Sequence, residues 1–236
     1  MQRTLAVAGA IIAPMLLAPA VHAGPVVFYQ QTFESEAVEN LPEWTGFVFI
    51  ANNDYLTRFM GPSAQKSTTL TVPIPAGLRD TGTPGGGDDG GGGGGDTSIV
   101  FSIEFDLFII DSWGYSEVDP GNDHFRVGVD GVNAFDEIFS NTIGIQTFRA
   151  PDERGSYAYS TNYEESIYRD VKIVFTPSEG QNSVTFDFFA DTTQPWQDES
   201  YGIDNVRVGY EVVPAPGPLA MLGIGGVALC RRRRRS

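Results

Sequence analysis

The stretch SIVFSIEFDLFII, residues 98–110, places Ile99, Phe101, Ile103, Phe105, Leu107 and Ile109 on one face. Val100, Ser102, Glu104 and Asp106 fall on the other. A period of two belongs to an extended strand, whose successive side chains point to opposite sides of a sheet. The same period runs through HFRVGVDGVNAFDEIF, where Phe125, Val127 and Val129 alternate with polar or small residues. That segment breaks at Asp130-Gly131, the dipeptide best suited to a two-residue type I′ hairpin turn. VVFYQQTF, GFVFI, IYRDVKIVF, SVTFDFFA and YGIDNVRVGY read as further strands. No window between the two ends carries an apolar stripe long enough for an ordinary helix. About eight or nine short strands with Gly, Pro and Asp turns predict an all-β, antiparallel two-sheet sandwich of jelly-roll type over residues 24–211. One segment interrupts it, TPGGGDDGGGGGGD, within a loop assigned to residues 82–97. It lacks the Lys-Ser/Thr of a phosphate loop and the tandem copies of a calcium repeat, so it reads as a flexible surface connection.

The charge balance excludes several partners. The formal net charge is -15. Setting aside Arg3 and five terminal arginines leaves nine basic residues against thirty acidic. Such a surface repels nucleic-acid phosphates, so no nucleic-acid partner is expected. The one cysteine, Cys230, lies in the apolar tail, and the histidines are His22 and His124. The main domain therefore has no disulfide, no thiolate chemistry and no zinc site of the usual ligand types.

The two ends stand apart from the sandwich. Residues 1–23 combine Arg3, an apolar run from Leu5 to Leu17, and small residues before Ala23. This is the pattern of a secretory signal helix with cleavage after Ala23, and it implies export. Residues 212–236 mirror it. Leu219 to Cys230 is apolar but short of the ~20 residues that span a bilayer comfortably as a helix. Arg231, Arg232, Arg233, Arg234 and Arg235 follow as a stop, because carrying five charges through lipid is prohibitive. The chain is expected to be exported, to catch on its arginines, and to insert in the membrane transiently or permanently through a short C-terminal apolar helix.

The order of motif, apolar run and arginine cluster in VPAPGPLAMLGIGGVALCRRRRR resembles the PEP-CTERM sorting signal of bacterial exported proteins. The motif is Val213, Pro214, Ala215, Pro216 and Gly217, with the apolar segment at 218–230 and the cluster at 231–235. The resemblance implies an exosortase-type membrane protease as partner and a setting of exopolysaccharide or biofilm production. Ala215 stands where the commoner form has Glu, which leaves the sortase variant open. A plain tail anchor with a basic stop is the alternative.

Within the sandwich, DESYGIDNVRVGY is the segment richest in implication. Strict alternation puts Val206, Val208 and Tyr210 on one face together with Asp204, and an inward carboxylate needs a cation or several donors to meet it. Glu34 follows the first apolar strand, and first and last strands of a sandwich are often neighbours, so Glu34 and Asp204 are expected to converge. Two hard oxygen ligands would suit calcium. A hydrogen-bonded Asp at the start of a strand is the alternative. Phe33-Glu34, Trp44 and Ile203-Asp204-Asn205-Val206 also resemble jelly-roll carbohydrate-binding modules, in which the matching acids commonly hold a structural calcium.

Aromatic residues in loops form the other candidate set: Trp113 and Tyr115, Trp196 and Tyr201, and Tyr157, Tyr159 and Tyr163. Most aromatics in a sandwich simply pack, and a place at the core edge is the alternative for Trp44 and Trp113. Sugar faces stack on such rings while neighbouring Asp, Asn and Gln bond the hydroxyls. A catalytic role has little behind it. Paired carboxylates are too easy to nominate among thirty acids, and no G-x-S-x-G elbow accompanies His124. The expectation is an exported, non-catalytic protein of the bacterial cell envelope, outer surface or extracellular matrix, associated with extracellular polysaccharide through its sandwich. A structural or adhesive surface protein without sugar binding, and a glycan-cleaving enzyme, are the competing expectations.

Overall fold

The structure is a computed structural model that describes residues 24–34, 41–53, 56–79, 97–114, 123–142, 146–157, 163–192 and 194–214. Twelve strands lie among them. They are β1 (Val26–Gln31), β2 (Trp44–Gly46), β3 (Ile50–Asn53), β4 (Thr57–Ser63), β5 (Thr68–Pro73) and β6 (Thr97–Asp111), then β7 (His124–Val129), β8 (Val132–Ile138), β9 (Glu153–Gly155), β10 (Glu165–Phe175), β11 (Ser183–Asp191) and β12 (Glu199–Pro214). The one short helical element is a 3-10 turn at Ala76–Leu78. Seven strands form one antiparallel sheet in the order β3-β4-β12-β6-β10-β9, with β1 added to β12. Five form the other, β2-β5-β11-β7-β8. The all-β sandwich read from the sequence is therefore present.

β6 and β12 pair from Thr97 opposite Pro214 to Asp111 opposite Glu199, so their ladder runs the length of the domain. A strand of 15 residues extends roughly 45 to 50 Å. One end of this ladder is where β1 begins, with Val26 opposite Tyr210, and where β12 ends. Both chain ends thus leave the sandwich at the same pole. The opposite pole carries the segments 64–67, 112–114 and 192–198. β12 continues through Val213 and Pro214, beyond the boundary at 211 that the sequence suggests.

The Asp130-Gly131 hairpin turns as expected, with positive φ at both residues (+50° and +78°) joining β7 to β8. GFVFI does not form a strand. Gly46 has φ +86° and closes β2, and the chain then crosses between sheets before β3 begins at Ile50. The crossing leaves Val48 and Phe49 exposed, while Thr68 Oγ1 donates to the Phe47 carbonyl. β4 and β9 carry no clean apolar alternation and go unread in the sequence; β5 goes unread as well, although its Leu70 and Val72 alternate with threonines and face the core. β4 needs a glycine at 61, where φ is +136° and a Cβ would sit 2.6 Å from the Tyr201 carbonyl oxygen. Only Gly lets β4 come this close to β12.

The core between the sheets is aromatic. Phe125 lies 5.0 Å from Tyr201, 6.2 Å from Phe105 and 6.4 Å from Phe139, ring centre to ring centre. Phe188 joins Phe105 (5.5 Å) to Trp44 (5.9 Å). A second apolar group, Ala51, Leu56, Phe59, Phe108, Ile110 and Ile167, lies on the other side of the seven-stranded sheet. Phe125→Ala should cost about 3–5 kcal/mol by leaving a cavity that fixed neighbours cannot fill. Val132→Ala, at a site 69% exposed, should stay within about 0.5 kcal/mol. Chemical denaturation with both variants checks the contrast.

Candidate functional site

Two β-bulges flank β6 at the same level. On β12 the register slips between Asp204 and Arg207, with Asn205 at φ +51°. On β10 it slips between Tyr168 and Val171, with Asp170 at φ +49°. Both bulges close onto Asp106. Its Oδ2 accepts from Arg169 Nη1 (2.8 Å) and Asn205 Nδ2 (2.9 Å), and its Oδ1 from the Asp170 amide (3.0 Å). A buried carboxylate needs this many donors, and left-handed Asn and Asp residues supply them at low cost.

The bulge also corrects the expected facing of Asp204. Ile203 and Val206 both belong to the inter-sheet core, so an extra residue separates them and parity changes. Asp204 pairs across the ladder with Asp106 and lies with it on the outer side of the sheet, yet is only 3% exposed. What covers it follows from topology. β4 pairs with the first part of β12 and β1 with the last part, both on the same edge. They abut at the bulge, and the chain leaving β1 passes through Phe33 (φ +56°) to Glu34 there. Glu34 Oε1 accepts the Arg58 amide at 3.4 Å. The expected convergence of Glu34 on Asp204 is present. Burial first, then the fields of Glu34 and Asp106, push the Asp204 carboxyl up to about 7. Among the described residues no group of three metal-ligating side chains is gathered, here or elsewhere. The donor chemistry at this spot is two hard carboxylates, one held by the Asn205 amide at 2.7 Å and one by the Arg58 amide.

The loop pole is built differently. Trp196 is 53% exposed and borders a half-open pocket of about 240 Å³ with Pro62, Ile110, Asp111, Gln197 and Ser200. Asp111 has φ +73°, an uncommon backbone for a non-glycine residue, and sits opposite Glu199 at the end of the β6–β12 ladder. The loop bearing Trp196 is braced by Gln65, whose Nε2 donates to the Thr192 carbonyl (2.7 Å), and by the Asp198 carbonyl, which accepts from Ser112 Oγ (2.8 Å).

Of the described aromatic residues read as ligand-facing, Trp196 and Tyr163 are exposed, at 53% and 41%. Trp113 is fully buried, donates from Nε1 to the Ser200 carbonyl (2.8 Å) and packs edge-on against Phe139. Tyr201 is 1% exposed, and its hydroxyl donates to the Phe188 carbonyl (3.1 Å). Both are correctly seen as aromatic but belong to the core, since inward register in a sandwich outweighs a polar sequence neighbourhood. Tyr115, Tyr159, Ala23, Ala215, Pro216, Gly217 and the cluster Arg231–Arg235 lie outside the described residues, as does the expected C-terminal helix. Val213 and Pro214 lie at the end of β12, paired with Ser98 and Thr97. Among the described residues no helix is long and apolar enough to cross a membrane. Asp111, Gln197 and Ser200 around the pocket, and the buried Asp123 and Glu199 beneath it, go unread in the sequence, because only the paired strands bring them together.

No protein-family description matches the chain, and no curated protein resembles it significantly. Similar solved structures exist at low identity. One is BtGH115A, a family GH115 4-O-methyl-α-glucuronidase with specificity for decorated arabinogalactans, at 16% identity and TM-score 0.37. The match covers 84% of this chain and 19% of that one, so this chain spans about a fifth of that enzyme's length. A family 35 carbohydrate-binding module from an environmental isolate is similar at 13% identity and TM-score 0.35, over 81% of this chain and all of that one. A family 35 module from Clostridium thermocellum gives 12% identity and TM-score 0.32, over 79% and 98%.

The raised Asp204 carboxyl makes stability depend on pH with a definite sign. Its contribution is fully present at low pH, where folded and unfolded forms are both protonated, and is lost as pH rises through about 7. Thermal unfolding in chelator should show Tm falling as pH rises from the ordinary Asp value of 3.8 to about 7 and levelling above it, and Asp204→Asn should flatten part of that fall. An unchanged pH profile in the variant would contradict this electrostatic assignment.

Proposed function

We propose that this chain is an exported, non-catalytic sandwich that binds carbohydrate at its loop pole, with Trp196 as the stacking platform. The observation that carries the reading is an exposed indole on the rim of a pocket that also offers Asp111, Gln197 and Ser200. An indole face suits the C–H face of a pyranose, and the neighbouring carboxylate, amide and hydroxyl suit its hydroxyl groups. The fold supports it by separation: the pocket lies at the pole opposite the two chain ends, roughly 45 Å away along β6. Cleavage after Ala23 would leave a mature chain that starts two residues before β1. At the other end, an exosortase-type protease would meet a motif whose first two residues, Val213 and Pro214, end β12. A sandwich held at that pole in the cell envelope or surface matrix would present Trp196 outward, toward exopolysaccharide.

Glu34 and Asp204 are the residues that would hold a structural calcium, as two hard carboxylate ligands where β1, β4 and β12 meet. Such an ion would neutralise the charge that burial disfavours at Asp204 and would pin the chain leaving β1 against the bulge. A Tm unmoved by EDTA and by added calcium would remove the ion from this account.

Affinity electrophoresis on neutral and acidic polysaccharides tests the binding reading. The protein should be retarded by at least one glycan, and Trp196→Ala should weaken retardation by about tenfold. Tyr201→Phe, a core change, should leave it intact. No retardation on any glycan leaves a structural or adhesive surface role, and release of sugar products would point to catalysis instead.

A further inference from the structure

Beneath the Trp196 loop lies a second pair of buried carboxyls. Asp123, in the segment leading into β7, and Glu199, the first residue of β12, are 1% and 2% exposed, and their carboxyls lie within hydrogen-bonding reach of each other. Two carboxyl groups can share a hydrogen bond only when one of them carries a proton. Their remaining bonds tie down the surrounding chain. The Gln194 amide and its Nε2 donate to the two oxygens of Glu199, each at 3.0 Å. The Gly114 amide donates to Asp123 Oδ2 at 2.8 Å. The amides of Asp198 and Glu199 both turn back to the Pro195 carbonyl. Glu199 thus grips the loop on one side while Asp123, from the other sheet, grips Glu199. Ser200, the next residue, lines the pocket.

We infer that Asp123 and Glu199 form a proton latch: one shared proton holds the loop segment 194–198 closed, and its loss releases Trp196 and weakens ligand binding at the pocket. The last clause rests on the carbohydrate-binding reading; the latch itself does not.

Among the described residues no cation acts on the pair to replace the proton. Asp111 faces Glu199 across the ladder from β6, and Asp198 precedes it in the loop. Asp191, at the end of β11, is held by Arg126 (2.9 Å), and His124 turns to Asp136 (2.6 Å). Arg154, from β9, donates to the Ser140 carbonyl (2.9 Å). Burial first, and then the field of Asp123, push the Glu199 carboxyl up to about 7. The latch is therefore closed in mild acid and opens as pH rises through neutrality.

Acrylamide quenching of tryptophan fluorescence in the full chain reads the loop without any ligand, because Trp44 and Trp113 are buried and Trp196 is not. Quenching should rise roughly twofold with a midpoint near pH 7, and Trp196→Phe should abolish the rise. Glu199→Gln, whose amide can donate to Asp123 without titrating, and Asp123→Asn should each hold quenching at its low-pH level throughout. A midpoint that survives in both variants, or that disappears in Asp204→Asn instead, overturns the latch. So does restoration of low quenching by calcium at alkaline pH in the wild type, which would make the pair a cation site. Should both variants fail to fold, difference infrared spectroscopy of the Asp204→Asn protein decides: a protonated carboxyl band must be present below pH 7 and vanish above it. Quenching that titrates while no glycan binds leaves the latch standing and removes the binding reading.

Discussion

The pairing of β6 with β12 is the constraint on which the rest of the molecule depends. It joins the longest strands over their whole length, gives the larger sheet its centre, and fixes what lies at each end. At one end it brings both chain ends together; at the other it places Asp111 opposite Glu199 and so defines the rim of the pocket. In the middle it must accommodate a bulge, because β12 is shared on its far edge by two short strands that stop and start there. The bulge is where two of the buried carboxyls, Asp106 and Asp204, lie.

That buried charge follows one physical rule. A carboxylate taken out of water needs donors, a cation or a proton. Asp106 meets the rule with donors, drawn from both bulges and Arg169. The Asp123–Glu199 pair meets it with a proton. Asp204, close to Glu34 and Asp106, has a single amide and is pushed up to about 7, the place where a calcium ion would act most strongly. One strongly acidic chain therefore deals with its interior acids in three ways.

The sequence makes the sandwich visible because apolar alternation is a local signal. β6, β7, β8 and β11 are read directly from it, and Asp130-Gly131 is read from the backbone its turn demands. β4 escapes, since its Gly61 and Pro62 make sense only against the strand it pairs with, whereas the alternation of Leu70 and Val72 in β5 was there to be read. First and last strands of a sandwich are expected to be neighbours, and β1 does pair with β12, which leaves Glu34 near enough to act on the Asp204 carboxyl. Asp204 was nevertheless given the wrong face, because a bulge shifts parity and alternation alone does not announce one. Tyr201 has polar neighbours in sequence and core neighbours in space, and Trp113 sits wholly in the core rather than at its edge. Asp123 and Glu199 lie far apart along the chain, and no local pattern links them.

The account comes down to a spatial claim: ligand contact is confined to the loop pole around Trp196, at the far end of the sandwich from both chain ends. Backbone amide chemical shifts during titration with a retarding glycan test it most directly. The account predicts shifts grouped at Asp111, Trp196, Gln197 and Ser200, with residues near Val26 and Val212 unmoved. Shifts gathered at the chain-end pole, or spread over the outer face of either sheet, would contradict it.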